Sequence, residues 1–206
     1  MRKFAILIDG GFAKVRLGSR ENPVSSADFK RLVERICKHP FLIDKYLHRV
    51  YFYDAPPFAK SRSLPLGGGR RDFQSEPLTQ HNQKLHRELT ELAYFAVRLG
   101  ETRFRGWVFD SKGIPPGTNE HTITAADFRP SIQQKGVDMR IGLDIASLAL
   151  KAQVEVVVLV NGDSDFVPPM KFARREGLQF ALVALGHAVN PDLLEHADFS
   201  LDLPED

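Results

Sequence analysis

The sequence predicts an α/β protein built on a doubly wound, mainly parallel sheet flanked by helices. Three observations lead there. The run Val156-Val157-Val158-Leu159-Val160 is continuous and valine-rich, as in a strand buried on both faces of a parallel sheet. Phe4-Ala5-Ile6-Leu7-Ile8 is a second such run. Around them, strand-like segments alternate with stretches of helical periodicity, the pattern of β-α-β units joined by right-handed crossovers.

In chain order, the first strand ends at Asp9-Gly10-Gly11, and a short helix follows near Phe12 to Leu17. A second helix spans about Ser26 to Cys37. It opens at Ser25-Ser26-Ala27-Asp28 and carries Phe29, Leu32, Val33 and Ile36 at helical spacing. Lys45 to Tyr53 reads as a strand stopped by Asp54-Ala55-Pro56-Pro57. Residues 60–80, with Pro65-Leu66-Gly67-Gly68-Gly69-Arg70-Arg71, have the composition of a flexible basic loop. A helix over Asn82 to Leu99 is expected from Leu85, Leu89, Leu92 and Val97. A strand near Thr102 to Phe109 precedes a second soft region, Gly113 to Thr118, expected as a β-excursion or loop running through residue 134. Val137 to Leu150 is apolar nearly all round and is expected as a buried helix. After the valine strand come a helix from Phe166 to Glu176 closed by Gly177, a strand from Phe180 to Leu185, a short helix at Asp192 to His196 and a last extended piece. A single domain over 1–206 with insertions near 60–80 and 112–130 accounts for the length.

Composition narrows the function classes. Hydrophobic residues at 43% and charged residues at 26% are ordinary for a globular protein. No apolar run approaches the length of a membrane span, and Met1-Arg2-Lys3 leads into a strand without a cleavage pattern. The single cysteine, Cys37, excludes an internal disulfide framework and suits a reducing cytoplasm. A net charge of +2 neither requires nor forbids a polyanionic partner.

The chemistry gathers at strand ends. Asn161-Gly162-Asp163-Ser164-Asp165-Phe166 places two carboxylates where a helix should begin, and Asp9 stands at the end of the first strand. In open parallel sheets ligands bind at the carboxyl ends of strands. Carboxylates gathered there repel and call for a counter-cation, most often Mg²⁺ or Mn²⁺ for oxygen ligands. Helix capping competes as an explanation for Asp163 and Asp165, since Asp is a preferred N-cap, and service to the turn after the first strand competes for Asp9. Capping competes for Asp138 as well, where Lys135-Gly136-Val137-Asp138 opens a helix. Asp144 lies one turn from Arg140, which suggests an ion pair. Asp54 is expected to cap the Pro-Pro turn. Lys135, Arg70 and Arg71 suit phosphate contacts, with solvated surface charge as the alternative. The histidines show no zinc spacing.

Ile6-Leu7-Ile8-Asp9-Gly10-Gly11, Val50-Tyr51-Phe52-Tyr53-Asp54-Ala55-Pro56-Pro57, Lys135-Gly136-Val137-Asp138 with Asp144, and Gly162-Asp163-Ser164-Asp165-Phe166 follow the order seen in NYN domains. From Phe4 to about Leu203 the chain resembles the LabA-like (DUF88) branch of the PIN-like nuclease superfamily. The resemblance implies a metal-dependent ribonuclease in which Asp9, Asp138, Asp163 and Asp165 hold one or two Mg²⁺ or Mn²⁺ ions, with Asp144 and Ser164 behind them. It implies RNA, or else single-stranded DNA, as partner, and a capacity to form homodimers. Many NYN proteins carry Asn where this chain has Phe12. A binding or regulatory PIN-like domain without robust catalysis is the non-enzyme alternative. A haloacid-dehalogenase-like phosphatase is the other enzyme alternative, but it requires an Asp where Gly11 stands.

Overall fold

The computed structural model describes residues 2–114, 117 and 120–203. Its ten strands are β1 (Lys3–Asp9), β2 (Tyr46–Asp54), β3 (Ser61–Ser63), β4 (Arg70–Asp72), β5 (Phe95–Leu99), β6 (Glu101–Phe109), β7 (Phe128–Lys135), β8 (Val156–Val160), β9 (Gln179–Val183) and β10 (Phe199–Ser200). Six helices accompany them: α1 (Gly10–Leu17), α2 (Ser26–Cys37), α3 (Pro77–Glu91), α4 (Val137–Leu150), α5 (Val167–Arg175) and α6 (Pro191–His196). The central sheet has six strands in the order β10-β9-β8-β1-β2-β5, every pair parallel.

Alternation along the central strands divides the core in two. Ile6, Ile8, Val158 and Val160 face Phe29, Leu32 and Ile36 of α2 and Leu85 and Leu89 of α3. Leu7, Val157 and Leu159 face Ile141 and Ile145 of α4 and Met170 of α5. All five residues of β8 have no exposed surface, and each such aliphatic side chain contributes roughly 1.5–3 kcal/mol through burial. From β1 the chain builds β2 and β5 on one side, then returns to build β8, β9 and β10 on the other. The order therefore reverses between β1 and β8, opening a crevice outside their carboxyl ends. Among the described residues no helix is long and apolar enough to cross a membrane.

Three expectations are corrected. The helix expected over Asn82 to Leu99 is α3, ending at Glu91, and Phe95–Leu99 forms the edge strand β5 beside β2. Tyr94, at φ 67°, turns the chain between them. Residues 60–80 are not a flexible loop: β3 and β4 pair as an antiparallel hairpin, and α3 begins at Pro77. The soft region follows its β-excursion alternative: it ends in β7, which pairs with β6 from Glu101↔Lys135 to Phe109↔Phe128 as a two-stranded ribbon; Pro115, Pro116, Thr118 and Asn119 lie outside the described residues. Helix α4 is not buried all round, because the sheet and α5 cover only part of it and Met139, Leu143 and Leu150 are exposed.

The hairpin and ribbon hold each other through aromatic rings. Phe104 stacks on Phe58 at 5.4 Å, Trp107 on Phe73 at 6.1 Å, and the Trp107 indole N–H donates to the Ser63 carbonyl at 2.8 Å. Phe58, Phe73, Phe104 and Trp107 thus form one packed aromatic cluster.

Candidate functional site

Asp9 closes β1 and caps α1, where its backbone is still extended (φ −70°, ψ 107°). Its carboxylate is held at both ends: Oδ1 accepts from the Phe12 N–H at 3.1 Å and Oδ2 from the Asn161 side-chain amide at 2.9 Å. Asn161 follows β8 and is wholly buried. Its own Oδ1 accepts from the Asp163 N–H, and Asp163 Oδ1 in turn accepts from the Asp165 N–H at 3.1 Å. One hydrogen-bonded chain thus links the ends of β1 and β8 across the switch point. Capping and clustering coexist here, since Asp9 and Asp163 each satisfy a helix or 3₁₀ N-terminus while standing at the same edge.

Asp138 arrives from the ribbon side. The N-cap of α4 is Gly136 at φ 73°, in the left-handed region that glycine tolerates. Asp138, two positions on, is therefore not the cap and has an exposed side chain. Asp9, Asp138 and Asp163 line one pocket of about 310 Å³ together with Asn161, Phe12 and Gln134 of β7. Asp165 does not line it, but its charge reaches Asp138.

The electrostatics are those of uncompensated negative charge. Burial pushes the Asp9 carboxyl above the ordinary range, and the charges of Asp138 and Asp54 add to this against the pull of the Phe12 and Gly11 N–H groups. Asp138 is likewise pushed up, by burial and then by Asp163 and Asp165. Among the described residues no group of three or more His, Cys, Asp or Glu side chains is arranged to hold a metal ion by itself.

The remaining expected residues scatter. Asp144 pairs with Arg98 at 3.3 Å and accepts from the Tyr53 hydroxyl at 2.9 Å. The expected pairing with Arg140 is corrected: that guanidinium donates to the Gly136 carbonyl. Ser164 is half-buried and lines a groove next to the carboxylate pocket. Lys135 is exposed at the base of the ribbon. Arg70 is exposed on the hairpin, whereas Arg71 pairs with Glu76 at 2.6 Å and lies over the Phe73 ring.

Sequence reasoning missed two polar features. Asn161, next to Gly162, carries no local sign of its role. Asp54 read as a cap, and its Oδ1 does accept from the Ala55 N–H at 2.9 Å. Its other oxygen is engaged in a buried cluster, with Lys14 Nζ at 2.5 Å and His86 Nε2 at 2.7 Å. No local pattern marks such partners, which lie 40 and 32 residues away.

Among solved structures, a protein of unknown function from Vibrio parahaemolyticus is similar at 16% identity, with a TM-score of 0.53 over 97% of this chain and 91% of that one. That likeness concerns the fold alone. The nicotinamidase SaPncA from Staphylococcus aureus follows at 14% identity and a TM-score of 0.33, covering 95% of this chain and 90% of its own, too loose a match to bear on fold or function. No curated protein matches. The model of the NYN domain matches residues 3–203, nearly the whole chain. The chain therefore belongs to the NYN domain family, within the PIN-like nuclease superfamily, whose members act on nucleic acids and typically use divalent ions.

Proposed function

We propose that this chain is a ribonuclease that hydrolyses RNA phosphodiester bonds with Mg²⁺ or Mn²⁺ held among Asp9, Asp138, Asp163 and Asp165. The observation that carries the reading is the hydrogen-bonded run from Asp9 through Asn161 to Asp163 at the switch point, faced by Asp138 across one pocket. The donor set fits the ion. All donors are hard oxygens, and Asp9 and Asp138 are both pushed up by burial and by neighbouring charge. Mg²⁺ keeps several waters and takes phosphate oxygens, so it does not need a closed cage of three side chains. Bound there, the ion supplies charge neutralisation at the scissile phosphate and a more acidic attacking water.

The chain's own residues do the positioning. Asn161 fixes the Asp9 carboxylate and the Asp163 backbone relative to each other, and Asp138, free of capping duty, can adjust to the substrate. The motifs around Asp9, Asp138 and Asp163 support the LabA-like branch, and the lone thiol of Cys37, pushed up by burial, suits a reducing cytoplasm. A second reading, nucleic-acid binding without catalysis, is favoured by the engagement of both Asp9 oxygens in hydrogen bonds within the protein.

The deciding experiment incubates pure protein with labelled single-stranded RNA and DNA in Mn²⁺, Mg²⁺ or EDTA. RNA cleavage that needs the ion and is lost in Asp138→Asn is expected. Undiminished cleavage in EDTA would refute the metal site, and tight binding without cleavage in any metal would decide for the second reading.

A further inference from the structure

We infer that the open groove lined by the Phe12 and His187 rings, beside the carboxylate pocket, is a stacking subsite for one unpaired nucleobase of the substrate strand, which would lie against the Phe12 ring; this rests on the ribonuclease reading above. The groove has a volume of about 620 Å³ and shares two lining residues, Phe12 and Asp163, with the carboxylate pocket. A base stacked there is therefore one short step from the carboxylates.

The groove is built rather than incidental. Phe12 is half-buried on α1 and His187 is exposed, and their rings meet edge to face at 5.8 Å and 71°. Gly162 is the floor. A Cβ at that position would fall 2.8 Å from the Phe12 ring and 2.7 Å from the imidazole, so only glycine lets both rings sit where they do. His187 is set by a tight turn after β9, in which its N–H donates to the Ala184 carbonyl at 2.9 Å. Leu185 and Gly186 inside that turn both have positive φ, a conformation that costs energy for leucine.

Charge argues for a base rather than a phosphate. Asp163 lines the groove and Asp165 follows closely, so without a bound ion a phosphate resting there is repelled, whereas a neutral π-face is not. Stacking on an aromatic side chain is tolerant of base identity and holds a strand beside an acidic centre without a cation.

The test uses the full chain, with fluorescent single-stranded oligoadenylate and oligouridylate in EDTA at low salt. Phe12→Leu, which keeps apolar volume and loses the ring, should weaken binding about ten-fold, within the range that one stacked base supplies. Phe12→Trp should restore it. Scanning an abasic nucleotide along the oligomer should reveal one position whose loss costs the parent the same factor and costs Phe12→Leu nothing further. If the parent binds RNA and Phe12→Leu binds equally well, or still pays the abasic penalty, the subsite is refuted and the ribonuclease reading survives. A parent that neither binds nor cleaves RNA refutes both.

Discussion

Two carboxylates in one pocket are perturbed in the same direction yet fixed differently, and this predicts different behaviour on substitution. Asp138 accepts no hydrogen bond from a capped helix, so Asp138→Asn should leave metal-free stability within about 0.5 kcal/mol. Activity should fall by at least about 100-fold, since even outer-sphere partners of metal sites cost 10–100-fold. Asp9 accepts from donors on both oxygens, and an asparagine there can satisfy only one. Asp9→Asn should therefore abolish activity and also destabilise, leaving one donor short of a partner at about 1–3 kcal/mol, partly offset by charge relief. Thermal melts of the metal-free variants separate the two; equal melting temperatures would contradict this account of Asp9. The pH sign follows from the raised carboxyl. The folded chain holds the Asp9 proton to higher pH than the unfolded chain, so stability is lost as pH rises from the ordinary Asp range through the folded value. Added Mn²⁺ should consequently raise the melting temperature at pH 7 and do little near pH 3. At this scale Asp9 was legible because it closes a hydrophobic strand in sequence, and Asp138 because it stands at the opening of an apolar helix. Asn161 was not, because only burial separates an anchoring amide from an ordinary turn residue.

Between elements, α1, β2 and α3 are joined by the buried cluster of Lys14, Asp54 and His86. Burial pushes Asp54 up, but the His86 hydrogen bond and the Lys14 ammonium outweigh it and hold the carboxyl below its ordinary value. A depressed folded value means stability that is present above the unfolded pKa and is lost as pH falls through the folded one. Removing Asp54 leaves the buried His86 without its partner and Lys14 with only Asn82, so Asp54→Ala should cost about 3–5 kcal/mol. For a domain of this size that is roughly 6–20 °C in melting temperature, with a weaker dependence on acid than the parent shows. A variant melting within a degree of the parent would mean the cluster contributes nothing. The elements that sequence misassigned share a cause. Nothing between Leu92 and Leu99 breaks a helix, so Val97 reads as the next turn of a stripe, yet Tyr94 adopts a positive φ and the edge of β2 captures the segment as β5. The hairpin of β3 and β4 has strands of three residues, too short to display an alternation, and its glycine-rich turn reads as disorder. By contrast the buried strands β1 and β8 were legible, because burial on both faces leaves an unbroken apolar run.

Across the whole molecule, the ribbon and the hairpin extend from the carboxyl edge of the sheet: Gly100 leads from β5 into β6, and Gly136 leads from β7 into α4 beside the pocket. The net charge of +2 is too small to attract RNA on its own, so any phosphate grip must come from where basic residues are clustered. Arg70 is exposed on the hairpin, and Arg105 is exposed on the ribbon with only a hydrogen bond to Gln133. Arg71 is already committed to Glu76 and Phe73. The three arginines should then part company. Replacing Arg70 and Arg105 together by alanine should weaken RNA binding similarly for all sequences, because phosphate contacts carry no base information. It should also flatten the plot of log affinity against log salt by about 0.7 per lost contact on a single strand. Arg71→Ala should instead loosen the hairpin and lower thermal stability, with a smaller change in salt slope. Binding isotherms for the parent and both variants across a salt series make the comparison. An unchanged slope in the Arg70/Arg105 variant would assign strand capture to the sheet edge alone and leave the ribbon and hairpin as a brace held by their own aromatic rings.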